Sequence, residues 1–134
     1  MIKVLVFGTF DGLHEGHRDF LQQAKKLGDY LVAVIARDST VNLVKGHLPR
    51  QKENERLAAV KDSGLTDEAM LGNEGDPYAI IKKINPNIIG LGYDQTSFTE
   101  NLADVLKKEN LNIEIVRLKS YKPETYKSSL INKK

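Results

Sequence analysis

Cysteine and tryptophan are absent from the 134 residues, proline occurs four times, and aromatic residues make up only 7%. Without cysteine there is no disulfide framework, no thiolate zinc site, no iron–sulfur cluster and no cysteine nucleophile, which leads us to expect an intracellular, cytoplasmic protein. Long apolar runs are missing too. The opening MIKVLVFG is too short for the apolar core of a signal peptide, and no stretch approaches the length needed to span a bilayer, so no membrane partner is expected. Nor is there a surplus of one charge. Twenty Lys and Arg face 18 Asp and Glu, a formal net charge of +2, well short of the basic excess of a dedicated nucleic-acid binder. What remains is 40% hydrophobic residues and 10 glycines in a length that suits one compact domain, expected over 1–134.

Apolar and amphipathic stretches alternate along the chain to about Arg117, the pattern of a parallel sheet with crossover helices. Strands are expected at Ile2–Phe7, Tyr30–Ala36, Ala69–Leu71, Ile88–Leu91 and Ile113–Leu118, five in all. Helices are expected over His17–Leu27, Glu53–Lys61, Tyr78–Ile84 and Phe98–Glu109. Gly28 and Gly64 stop the first two, and Ser97 and Glu100 stand at capping-box spacing before the last. Arg37–Lys52 reads as the longest irregular stretch, and long loops in small domains are often functional. The segment from Ser120 to Lys134 is polar and basic and reads as a tail with a short terminal helix.

The segment that carries chemistry is Gly8-Thr9-Phe10-Asp11-Gly12-Leu13-His14-Glu15-Gly16-His17, which joins the first strand to the first helix. Ligands of open α/β sheets bind at such strand ends, and a helix N-terminus offers free N–H donors to phosphate. Gly8, Gly12 and Gly16 allow close backbone approach, and Thr9 adds a hydroxyl. The spacing is neither G-x-G-x-x-G nor a P-loop. In their place stands His14-x-Gly16-His17. Imidazoles three residues apart share one side of a helical turn, where both can donate to the oxygens of a transferring phosphorus.

Other readings compete. An isolated H-x-x-H is commonly an inconsequential surface pair, but the position after the first strand, among three glycines, speaks against that. A zinc hydrolase would need His47 as third ligand, without any familiar metal spacing. A phosphorylated receiver domain needs clustered acids, and this loop holds only Asp11. A nucleotide-binding sensor without turnover would not require the histidine pair.

Gly8-Thr9-Phe10-Asp11 with His14-x-Gly16-His17 resembles the signature of the cytidylyltransferase-like nucleotidyltransferase superfamily, and the likeness runs along nearly the whole chain. Ala36-Arg37-Asp38, Leu91-Gly92-Tyr93-Asp94-Gln95-Thr96, and Glu114-Ile115-Val116-Arg117 with Ser128-Ser129 resemble the archaeal-type FAD synthases, which adenylylate FMN. Glycerol-3-phosphate cytidylyltransferases are the nearest rivals. The resemblance implies a Rossmann-like three-layer nucleotidyltransferase fold with a five-stranded parallel sheet. It implies ATP or CTP and a phosphorylated acceptor as small-molecule substrates, Mg2+ or another divalent cation with the triphosphate, and a homodimer. An acceptor phosphate oxygen attacks the α-phosphorus directly and pyrophosphate leaves, with no covalent enzyme intermediate.

On that resemblance His14 and His17 stabilise the phosphorus and its leaving group, with Thr9, the Phe10 backbone and Gly16 adding phosphate contacts. Asp11 faces the acceptor or a magnesium ion, and Lys45 serves the acceptor phosphate. Arg56, in Glu55-Arg56-x-x-x-Val60, corresponds to a helix arginine that grips the triphosphate, the alternative being a solvated cation paired with a nearby Glu. Gly92 and Asp94 surround the base; a carboxylate accepts an exocyclic amine from adenine and cytosine alike. Ser128 and Ser129 match a C-terminal hydroxyl pair, otherwise a plain helix cap. Lys127 departs from the cytidylyltransferase pattern, and Lys122-Pro123-Glu124 lacks the cysteine expected in some archaeal-type FAD synthases. Tyr121, Tyr126 and Phe98 are left to packing. Read this way, 1–134 is nearly all catalytic domain, with no fused flavokinase or lipid-binding module expected.

Overall fold

Strict in-and-out alternation along the strands builds two apolar faces. In β1 (Lys3–Gly8) Val4 and Val6 point to one side and Leu5 to the other, and in β2 (Tyr30–Ile35) Leu31, Ala33 and Ile35 oppose Val32 and Val34. Both faces of a parallel sheet must be covered, and helices on both sides do so. The computed structural model describes residues 1–73, 78–92 and 102–119. Its five strands, completed by β3 (Glu68–Leu71), β4 (Ile88–Leu91) and β5 (Glu114–Arg117), are all parallel in the order β3-β2-β1-β4-β5. This is the Rossmann-like five-stranded arrangement expected from the sequence.

One face is packed by α1 (Glu15–Lys25) through Leu21 and Ala24 and by α3 (Glu53–Ser63) through Val60. The other is packed by α4 (Ala79–Ile84) through Ile80 and Ile81 and by α5 (Leu102–Lys108) through Leu102 and Leu106. Gly64 ends α3 in the left-handed conformation, as its place in the sequence suggested.

Most element ends shift by a residue or two, and two departures from the sequence reading have physical reasons. The first helix starts at Glu15 instead of His17, because its cap is a histidine, a residue outside the usual Ser, Thr, Asp and Asn set. The stretch 37–52 is not wholly irregular: α2 (Asp38–Lys45) occupies its first half and ends at Gly46 with φ 79°. Its pattern is weak because Val41 is buried while Leu43 is 85% exposed. The expected Ser97–Glu100 capping box and the tail from Ser120 lie outside the described residues.

The order of strands fixes where a ligand can enter. From β1 the chain winds outward to β2 and β3 on one side and to β4 and β5 on the other, so the loops after β1 and β4 part above adjacent strand ends. That divergence is the binding crevice of open α/β sheets.

Candidate active site

The loop after β1 is held open by its own buried side chain. Phe10 is 2% exposed and takes φ 53°, a left-handed conformation that is costly for a bulky residue. Its ring folds back beneath Gly8, where a Cβ would stand 2.6 Å from it. Gly8 is therefore required by close packing of Phe10, and Phe10 offers a ligand only its backbone. Phe20 packs against the same ring at 6.2 Å between centroids.

His17 meets the edge of Phe10 at 5.5 Å, and His14 stacks on His17 with ring centroids 3.8 Å apart and planes inclined by 22°. The pair caps α1 reciprocally. The Gly16 N–H donates to His14 Nδ1 at 3.0 Å, and the His14 N–H donates to His17 Nδ1 at 3.2 Å. A peptide N–H needs an unprotonated acceptor, so each neutral ring carries its hydrogen on Nε2. Two Nε2–H donors thus remain for a ligand at the positive end of a helix. Burial, followed by the neighbouring His14 imidazole, lowers the His17 pKa to about 4; Asp11 opposes this and the Lys45 charge adds to it. His17 is a neutral donor at physiological pH, and Lys45, exposed at the end of α2, stands close enough for its charge to be felt there.

Asp11 has a task that the sequence did not reveal. Its carboxylate accepts the Arg50 N–H at 2.8 Å and the Gln51 N–H at 2.9 Å, while Gln51 Oε1 accepts the Gly12 N–H at 2.9 Å. Partial burial works against ionisation of Asp11, but these two N–H bonds and the charges of Arg50 and Arg56 outweigh it and hold its pKa below the ordinary carboxylate value. Asp11 and Gln51 staple the loop to the start of α3. Gly12 makes the turn at φ 65°.

Arg56 is 0% exposed, so it is not the solvated cation of the alternative reading, and its guanidinium is bonded within the protein. Nε donates to Gln51 O at 3.0 Å, Nη1 to Thr9 O at 2.9 Å and Nη2 to Asp38 Oδ1 at 2.7 Å. It is an internal clasp that joins the β1 loop, the start of α2 and the start of α3. Beside it Glu53 accepts the Asp38 N–H at 2.8 Å and faces Arg37 Nη1 at 3.3 Å, and Arg37 Nε donates to Gly72 O at 2.6 Å.

The structure thus brings Thr9, Phe10, Asp11, His14, Gly16 and His17 together in one loop and helix turn, with Lys45 nearby. Gly92 opens the loop after β4, where its carbonyl accepts from Arg117 Nη1 at 2.8 Å. Asp94, Ser128 and Ser129 lie outside the described residues. Arg50, Gln51 and Glu53 were missed because they act at a distance along the chain, the first two on residues 39 and 40 positions away and Glu53 on residues 15 and 16 away, at spacings that no local motif encodes. An open cavity of about 550 Å3 lies against Gly12, Leu13 and Gln51, with Arg18 of α1 and Ala59, Asp62 and Ser63 of α3. It holds neither imidazole nor Lys45. Among the described residues no three His, Asp or Glu side chains gather as a cation site.

The cytidylyltransferase-like family profile matches residues 5–134. The FAD synthase of Thermoplasma volcanium is 42% identical over 134 residues, covering 100% of this chain and 94% of that protein. The FAD synthase of Methanosarcina barkeri is 45% identical over 120 residues, covering 88% and 84%. A solved structure from Thermoplasma volcanium, described as a lipopolysaccharide core biosynthesis protein, superposes with a TM-score of 0.84 at 43% identity, over 90% of this chain and 98% of that one.

Proposed function

The chain belongs to the cytidylyltransferase-like family, and on that footing we propose that it is an FMN adenylyltransferase, which converts ATP and FMN to FAD and pyrophosphate. The observation that carries this reading is the 42% identity to an FAD synthase across the full chain. A phosphate oxygen of FMN attacks the α-phosphorus of ATP, the new P–O bond forms as the bond to the β-phosphate oxygen breaks, and the electron pair leaves with pyrophosphate. Charge accumulates on the oxygens around phosphorus, and catalysis consists of positioning and of stabilising that charge.

His14 and His17 supply two preorganised Nε2–H donors for those oxygens. Because their Nδ1 atoms are occupied by backbone N–H groups, neither ring needs to rotate or change tautomer during transfer. Thr9 and the N–H groups of the loop bind phosphate, and Lys45 holds the FMN phosphate. Gly92 and Asp94 flank the adenine, and Ser128 and Ser129 meet the triphosphate; the roles of all four are carried over from the resemblance alone. Asp11 and Arg56 we now assign to positioning the loop, given their internal bonds. The whole of 1–134 is taken as one nucleotidyltransferase domain. Magnesium or another divalent cation accompanies the triphosphate. Among the described residues no three His, Asp or Glu side chains gather into a cage of their own for it, and no step is assigned to the metal.

The test is pyrophosphate release over a grid of ATP and CTP against FMN, glycerol 3-phosphate and pantetheine phosphate. Release with ATP and FMN alone is the expected result. Activity with CTP and glycerol phosphate but none with ATP and FMN would overturn the acceptor assignment, and silence throughout would favour a sensor.

A further inference from the structure

α2 carries Lys45 on its last turn, yet it is poorly equipped to hold its own place. It has eight residues, below the length at which a helix sustains itself in water, and its N-cap, Arg37, supplies no side-chain bond. Apolar anchoring is thin, with Val41 buried and Leu43 left 85% exposed. Its N-terminus is fastened by polar ties from elsewhere. The Glu53 carboxylate, at the start of α3, accepts the Asp38 N–H at 2.8 Å with one oxygen and meets Arg37 Nη1 at 3.3 Å with the other. Arg37 Nε in turn donates to Gly72 O beyond β3 at 2.6 Å. A carboxylate here also sits favourably at the positive end of the α2 dipole.

We propose that Glu53 is a positioning residue for acceptor binding, capping α2 from a neighbouring helix and so setting where Lys45 stands relative to the histidine pair. The inference rests on the FMN-phosphate role given to Lys45. The influence of the Lys45 charge on His17 is consistent with the two being neighbours. Since Glu53 approaches neither imidazole through its own bonds, its effect passes through α2 and falls on the acceptor more than on ATP.

The experiment is steady-state kinetics of Glu53→Ala, Glu53→Gln, Lys45→Ala and the Lys45→Ala/Glu53→Ala double variant, with circular dichroism and thermal melting of each. Losing a helix cap's worth of order predicts a KM for FMN raised roughly five- to tenfold in Glu53→Ala, with kcat and the KM for ATP held within about twofold. Glu53→Gln keeps an oxygen for the Asp38 N–H and restores most of the FMN affinity. The double variant is no worse than Lys45→Ala, as expected when one residue acts through the other. Additive losses, or equal rises in both KM values, would overturn the proposal, as would an unchanged FMN KM in Glu53→Ala beside a raised one in Lys45→Ala. If Glu53→Ala fails to fold, Glu53→Asp, whose shorter side chain draws the carboxylate back from the Asp38 N–H, and its pairing with Lys45→Ala decide the same question by the same outcomes. An unchanged FMN KM in Lys45→Ala refutes the acceptor role of Lys45 itself, and this inference falls with it.

Discussion

Replacing Arg56 by methionine separates the two jobs that an arginine at this position could have. Methionine keeps most of the aliphatic stem and removes the guanidinium. In the structure that leaves Thr9 O and Gln51 O without a donor and Asp38 without its cation. An orphaned carbonyl that water can partly reach costs about 1 kcal/mol, and a stranded carboxylate costs more when buried, though Asp38 retains 31% side-chain exposure and is partly resolvated. The sum is about 3–4 kcal/mol, a fall in Tm of roughly 10 °C for a chain of this size. Arg56→Lys keeps a charge for Asp38 but cannot fork to three acceptors, so it should recover only part of the loss. Thermal and denaturant melts give the stability, and KM for ATP gives the binding. If Arg56→Met melts within about 2 °C of the parent while its KM for ATP rises more than about tenfold, the internal clasp is wrong and the triphosphate grip suggested by resemblance is right.

Three further outcomes follow from the same geometry. His14→Ala and His17→Ala should each lower turnover by about 10²–10³ with circular dichroism unchanged, as for loss of one preorganised donor, and near-normal turnover in either variant would remove that residue from catalysis. The His17 pKa falls from its ordinary value of 6.5 to about 4 on folding, so the unfolded chain binds the proton first: its contribution to stability is complete above pH 6.5, shrinks as pH falls and is gone below about 4. The Tm difference between parent and His17→Gln should therefore narrow over that window, and a constant difference would refute it. Gly8→Ala places a Cβ 2.6 Å from the Phe10 ring and should cost about 1–3 kcal/mol in urea unfolding together with much of the activity; pairing it with Phe10→Leu should restore part of both, and no restoration would mean the clash lies elsewhere.

The loop stood out as the candidate site because three glycines, a threonine and two histidines fall within ten consecutive residues after an apolar strand. Other parts were hidden by distance along the chain. Arg56 read as a helix arginine for the triphosphate or else as a solvated cation, and only the fold, which brings it to Thr9 from 47 residues away, shows that it is buried. Nothing near Asp11 in the sequence pointed to its bonds with the backbone at Arg50 and Gln51. The α2 helix escaped notice because its order comes from Glu53 and Asp38 and not from an apolar stripe of its own.

By itself the sequence determined the class of fold and singled out the candidate site, since strand alternation, helical spacing and the strand-to-helix turn are properties of neighbouring residues and survive without knowledge of the rest. Absence of cysteine and of one-sided charge narrowed the chemistry in the same local way. Tertiary structure alone decided which groups remain available to a ligand. The reason is that hydrogen-bond partners come from distant parts of the chain: folding ties the Asp11 oxygens to the Arg50 and Gln51 N–H groups, the Arg56 guanidinium to two carbonyls and the Asp38 carboxylate, and the two Nδ1 atoms to backbone N–H groups, which leaves each imidazole its Nε2–H donor.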